Sequence, residues 1–191
     1  MTHEEEYKGY KIEIHQDECG ESPREWDNIC IIHTGHKRYS IGDKNYNDRE
    51  SIDEAFHEAK ENGDIVLPLY LYDHSGITIS LSPFSCPWDS GQVGFVVVPR
   101  LKMIEEFGKK NFTLKLKARA LEIAESEVNT LDQFIRGEVY GYKVFGEGDD
   151  GDREELDSCW GYYGEEDAIT EAKSIVDYYV EEKEKECIKS S

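Results

Sequence analysis

Gly9-Tyr10-Lys11-Ile12 near one end of the chain returns as Gly141-Tyr142-Lys143-Val144 near the other. Each copy continues into an acidic stretch. Glu25-Trp26-Asp27-Asn28 or Glu155-Leu156-Asp157-Ser158 then leads into an apolar segment. Each closes on a helical pattern, holding Asp53-Glu54-Ala55 with Glu58-Ala59-Lys60, or Asp167-Ala168 with Glu171-Ala172-Lys173. Four matched features in one order predict a β–acidic loop–β–α unit used twice, over residues 7–61 and 138–186, on either side of a central β region. Chance is the competing explanation, because Tyr, Glu and Lys are common here.

The periodicity of each segment fills in the rest. Tyr10–His15 alternates as a half-buried strand does, and Asn28–His33 reads as a second strand. Thr34-Gly35-His36-Lys37 has the chemistry of a hairpin turn into a strand over Arg38–Ile41. Ser51–Glu61 has helical spacing at Ile52, Ala55, Phe56 and Ala59, with Ser51 as N-cap and Glu54 completing a capping box. Ile65–Tyr72 and Ile77–Leu81 read as strands joined by the turn Asp73-His74-Ser75-Gly76, and Gln92–Val98 as a buried strand after a loop over Pro83–Gly91. Helices are predicted over Leu101–Phe107, Thr113–Ile135 and Glu165–Glu186, and strands over Glu138–Phe145 and Ser158–Tyr163 with an acidic loop, Glu147–Asp157, before the second. The sum is an α+β fold, a mixed or antiparallel sheet with packed helices. It is expected as one compact domain over residues 1–191, with lobes at 1–64, 65–136 and 137–191.

Charge narrows the functions. There are 42 acidic and 22 basic residues, a net charge of −20. Residues 1–64 carry −9, residues 65–111 are neutral and residues 112–191 carry −11. Such a field repels nucleic acid and membranes and attracts basic proteins or cations. It also repels itself, a cost that solubility alone does not explain. Lys109, Lys110, Lys115, Lys117 and Arg119 form a single basic cluster, too small to read as a nucleic-acid site. No apolar run approaches the ~18 residues of a membrane span. His3-Glu4-Glu5-Glu6 is the opposite of a signal peptide, and five scattered cysteines without a CxxC fit reduced thiols. A cytoplasmic protein is expected.

Chemistry-bearing residues concentrate in Asp73-His74-Ser75-Gly76 and Cys86-Pro87-Trp88-Asp89-Ser90-Gly91. One reading makes Cys86 or Ser90 a nucleophile, His74 its base and Asp73 or Asp89 the orienting group of a hydrolase. A related reading is a metal-dependent enzyme with His74, Cys86 and Cys159 as ligands. No known catalytic spacing is present. Turn chemistry accounts for the Asp, Ser and Gly residues, with Trp88 and Phe84 plugging a core edge, so the balance favours structure over catalysis. The loop from Glu147 to Glu155 is oxygen-rich but lacks the EF-hand order of ligands. No metal or cofactor is expected.

Asp73-His74-Ser75-Gly76-Ile77-Thr78-Ile79-Ser80, Pro83-Phe84 and Trp88-Asp89-Ser90-Gly91-Gln92-Val93-Gly94-Phe95 form a specific series. With Glu21-Ser22-Pro23-Arg24-Glu25-Trp26-Asp27-Asn28 and Asp157-Ser158-Cys159-Trp160-Gly161, it resembles small acidic proteins encoded by bacteriophages and other mobile elements. The resemblance runs from about Tyr10 to Gly164. It implies an anti-defence role, since some phage proteins of this size and charge are anti-CRISPR or antirestriction inhibitors, and it carries over no catalytic residue. The host cell's cytoplasm is then the expected compartment. The expected partner is a basic nucleic-acid-binding protein of the host, a CRISPR effector nuclease or a restriction enzyme, with no direct binding to nucleic acid or membrane. As a DNA mimic the protein would fill a phosphate groove with Asp17, Glu18, Glu21 and Glu25 from one copy of the unit. Asp149, Asp150, Asp152, Glu154 and Glu155 would come from the other.

Overall fold

A computed structural model of the chain describes residues 3–148 and 152–189. In chain order the strands are β1 (His3–Tyr7), β2 (Tyr10–Gln16), β3 (Ile31–Thr34), β4 (Lys44–Asn45), β5 (Ile65–Asp73), β6 (Ile77–Ser80), β7 (Ser90–Val98), β8 (Val139–Glu147) and β9 (Arg153–Tyr163). The α-helices are α1 (Arg49–Glu61), α2 (Arg100–Glu106), α3 (Leu114–Ile135) and α4 (Glu165–Lys189). The strands form two sheets, ordered β1-β2-β8-β9 and β4-β3-β7-β5-β6, and the fold is α+β. The chain divides into two units, a terminal one built from Met1–Glu21 with Gly137–Ser191 and a central one over Ser22–Arg136. The divisions fall at 21/22 and 136/137, where the sequence suggested 64 and 136.

The terminal unit overturns the reading of two related units. The echoed segments are neighbours: β2 and β8 pair antiparallel, with Ile12 opposite Val144 and Ile14 opposite Tyr142. The reason is shared burial. Tyr10, Ile12 and Ile14 present one apolar face, Tyr142 and Val144 another, and both lie under Ala168, Ala172 and Val176 of α4. Ile12, Ile14 and Val144 are completely buried. Each such burial contributes roughly 1.5–3 kcal/mol. A single helix thus covers both echoes, and α1 packs elsewhere. β1 is an addition to the predicted elements. It pairs with β2 through a two-residue turn, Lys8-Gly9. Lys8 and Gly9, with φ of 49 and 83, take the left-handed conformations that a tight hairpin demands.

The central unit has a core on each face of its sheet. Leu69, Leu71, Val96 and Val98 pack with Met103 and the Leu116, Ala120, Ala124, Val128 and Leu131 stripe of α3. On the other face Phe95 and Val97 meet Ala59, Ile52 and Phe56 of α1. α1 begins at Arg49, with Asp48 as N-cap accepting the Ser51 N–H at 2.8 Å, so Ser51 lies inside the helix it was expected to cap. The predicted hairpin to Arg38–Ile41 does not form. The carboxylate of Asp43 takes the Ile32 N–H at 2.7 Å in place of a neighbouring strand, and the short β4 pairs parallel to β3 instead. The acidic loop before β9 is also shorter than predicted, because β9 begins at Arg153 and extends the hairpin with β8.

Candidate functional site

The central cluster is held together by turn bonds. The Asp73 N–H donates to the Asp89 carbonyl at 2.8 Å, the Ser90 hydroxyl donates to the Cys86 carbonyl, and the His74 N–H donates to the Gly76 carbonyl at 3.0 Å. Ser75 takes a positive φ at the tip of the β5–β6 turn. His74 Nδ1 lies 3.2 Å from Asp89 Oδ2, and the Cys86 thiol reaches the same oxygen at 3.8 Å. Asp89 therefore stands between thiol and imidazole. A nucleophile needs a base against the thiol; here its neighbour is a carboxylate already shared with His74. Asp73 is bound by the Arg38 guanidinium and by the Tyr39 hydroxyl at 3.3 Å. The loop is a braced scaffold, and Trp88, expected to plug a core edge, is 90% exposed at its tip.

The metal triad is not assembled. His74 and Cys86 belong to the central unit and Cys159 to the terminal one. Among the described residues no three His, Cys, Asp or Glu side chains are grouped to hold a metal ion. Cys19, Cys30, Cys86 and Cys159 are free thiols.

The acidic arms fall mainly on the terminal unit. Asp17, Glu18 and Glu21 follow β2, where the Asp17 N–H bonds the Val139 carbonyl, and Asp17 accepts the Cys19 N–H at 3.0 Å. Asp152, Glu154 and Glu155 stand exposed at the other end of the sheet, at the turn from β8 to β9. Asp149 and Asp150 lie outside the described residues. Glu25 sits in a 3-10 turn over Pro23–Glu25 and belongs to the central unit. The length of β8, Val139 to Glu147, lies between the two arms. A strand of that length spans roughly 26 Å.

Some of these carboxylates are already paired. The Lys143 ammonium, 2.8 Å from Glu155, holds its carboxyl below the usual range. On the same open face of the sheet Lys11 bridges Glu4 (3.1 Å) and Glu13 (2.8 Å), and Arg153 pairs with Glu6. The helix pattern of residues 165–186 held a set that sequence reasoning passed over. Asp167, Glu171 and Glu181 are exposed on α4, spaced by four and ten residues and so on one side of it. The signal was present as the polar complement of the apolar stripe.

Net charge divides unequally between the units. The terminal unit carries 24 acidic and 8 basic side chains, a net of −16; the central unit carries 18 and 14, a net of −4. No helix among the described residues is long and apolar enough to cross a membrane. Comparison with known proteins gives no match, whether to a family model, a curated protein or a solved structure.

Proposed function

We propose that the protein is an inhibitor whose terminal unit occupies the phosphate-binding groove of a host nucleic-acid-binding defence protein, a CRISPR effector nuclease or a restriction enzyme. The concentration of −16 of the −20 net charge on that unit carries the reading. Like charge packed at that density destabilises the unit that holds it, a cost offset when a basic groove neutralises it. The arms at Asp17–Glu21 and Asp152–Glu155 bracket a sheet whose length matches about fifteen duplex charges at one per ~1.7 Å. Asp167, Glu171 and Glu181 add a third acidic surface along α4.

Binding kinetics against purified CRISPR effectors and restriction enzymes test this. The association rate should fall at least tenfold between about 50 and 300 mM salt. Asp152→Asn, Glu154→Gln, Asp167→Asn and Glu171→Gln together should lower it further, with a smaller change in the dissociation rate. A complex whose formation is indifferent to salt and to these substitutions would refute charge mimicry.

A further inference from the structure

The basic cluster on α3 and the turn before it has four ammonium groups that nothing neutralises. Lys109, Lys110, Lys115 and Lys117 are exposed, and among the described residues no carboxylate pairs with any of them. Arg119 is spent on Glu122 at 2.9 Å, and Lys102 on Asp27 at 2.9 Å. Residues 100–122 hold seven basic and three acidic side chains, a net of +4, while the remainder of the central unit carries −8. In a chain with 42 acidic residues, bare lysines gathered at one place are the exception that marks this surface.

The lysines border a hollow of about 420 Å³. Gly108, with φ of 56, ends α2. Its N–H donates to the Glu105 carbonyl at 3.0 Å and the Lys109 N–H donates to the Ile104 carbonyl at 2.9 Å, fixing the turn that carries Lys109 into the lining. Phe107 supplies an aromatic wall, Leu116 a buried apolar one, and the short side chain of Ala118 leaves the space open. From α3 comes Lys115, and from its N-cap Thr113, whose hydroxyl accepts the Leu116 N–H at 3.2 Å and keeps its own proton to donate. Glu122 is the single carboxylate of the lining and is held by Arg119; Glu105 and Glu106 of α2 lie outside it. Hydrocarbon within, ammonium groups at the border and a volume inside the roughly 300–1,000 Å³ of small-molecule sites make a consistent set.

We infer that this hollow binds a small amphipathic anion, one with a carboxylate or phosphate head on an aliphatic or aromatic body. The body lies on Phe107, Leu116 and Ala118. The head is taken by Lys109 and Lys115, with the Thr113 hydroxyl as a further donor. The size of the occupant follows from the distribution of charge. Exposed charges are largely screened beyond about 8 Å at physiological ionic strength, so a small anion meets the local +4 and little else. An acidic protein or an anionic bilayer reaches well past that distance and meets the −8 of the rest of the unit and the −20 of the chain. The lining also takes in only Thr113 to Glu122 of the long helix, roughly 14 Å of its length. None of these residues takes part in the charge mimicry proposed for the terminal unit.

The test titrates the ¹⁵N-labelled full chain with decanoate and with octyl phosphate, similar alkyl bodies under different heads. At least one should bind with a Kd below about 1 mM and shift amide resonances confined to Phe107–Glu122. Octanol, a body alone, and acetate or inorganic phosphate, heads alone, should bind at least tenfold more weakly. Lys109→Gln combined with Lys115→Gln should weaken binding at least tenfold with no change in melting temperature. Ala118→Phe, which fills the hollow and leaves the charge alone, should weaken it as much. The inference fails if neither amphiphile binds at about 1 mM, if the shifts lie elsewhere, if head or body alone binds as tightly, or if either variant binds as the parent does. Tighter binding of the peptide Glu-Leu-Leu-Glu-Leu-Leu-Glu would overturn it in favour of an acidic protein segment. Sedimentation with phosphatidylserine vesicles, abolished in the double variant, would overturn it in favour of a membrane surface. No nuclease is involved, so the outcome is independent of the inhibitor reading.

Discussion

Arg24 donates to Glu127 at 3.0 Å and grips both carboxylate oxygens of Asp43 at 3.0 and 2.7 Å. Glu127 also accepts the N–H groups of Ile29 and Cys30, which enter β3 with no strand partner at that point. The Arg24 and Glu127 side chains are only 11% and 14% exposed, so deleting Glu127 leaves the buried guanidinium with Asp43 alone and the Ile29 and Cys30 N–H groups without their acceptor. Glu127→Ala is expected to cost about 3–5 kcal/mol, read by denaturant unfolding. His33 is a second residue whose surroundings set its behaviour. Its ring lies between Tyr46 and Phe95, with Nδ1 2.9 Å from the Tyr46 hydroxyl, and burial pushes its pKa down. The folded state thus takes up its proton less readily than the unfolded chain. The associated stability is complete above the ordinary histidine pKa of about 6.5 and is lost as pH falls towards the lower folded value. His33→Gln should therefore show a smaller fall in melting temperature between about pH 7.5 and 5.5 than the parent protein.

At the scale of elements, the β8–β9 hairpin depends on a missing side chain. A Cβ on Gly141 would stand 2.3 Å from the Trp160 ring, which lies across the strand and meets His15 at 6.1 Å. Gly141→Ala should cost about 1–3 kcal/mol by thermal unfolding. Gly91→Ala, with nothing within 4 Å of its Cβ, should be near neutral. The same hairpin shows what patterning reveals. The alternation of Tyr10–His15, the apolar run of Ile65–Tyr72 and the long stripe of Thr113–Ile135 announced β2, β5 and α3 almost to their ends. β1 was hidden because its exposed carboxylates, the device that keeps an edge strand from pairing with other chains, read as a polar tail. Arg38–Ile41 misled in the opposite sense. Its alternation is real, but the carboxylate of Asp43 takes the Ile32 N–H that a neighbouring strand would need. For the candidate site, sequence located the carboxylates but not their partners: Lys143 against Glu155 and Arg153 against Glu6 arise from strand register, which no local pattern encodes.

For the molecule as a whole, every buried residue of the central cores lies between Cys30 and Leu131, and every one of the terminal core lies outside that span. A fragment spanning residues 22–136 should therefore fold alone, giving a cooperative thermal transition and dispersed amide resonances. A featureless spectrum would refute that autonomy. The terminal unit has no such contiguous fragment: β2 is made early, and its partner β8 only after the whole central unit. Its assembly is consequently an event in time. With synthesis at ~5–20 residues per second, the central unit is complete several seconds before α4 leaves the ribosome. β1 and β2 wait through that interval as an unpaired, highly charged hairpin, and their carboxylates discourage association with other nascent chains. A ribosome that stops early releases a folded centre without the assembled acidic surface.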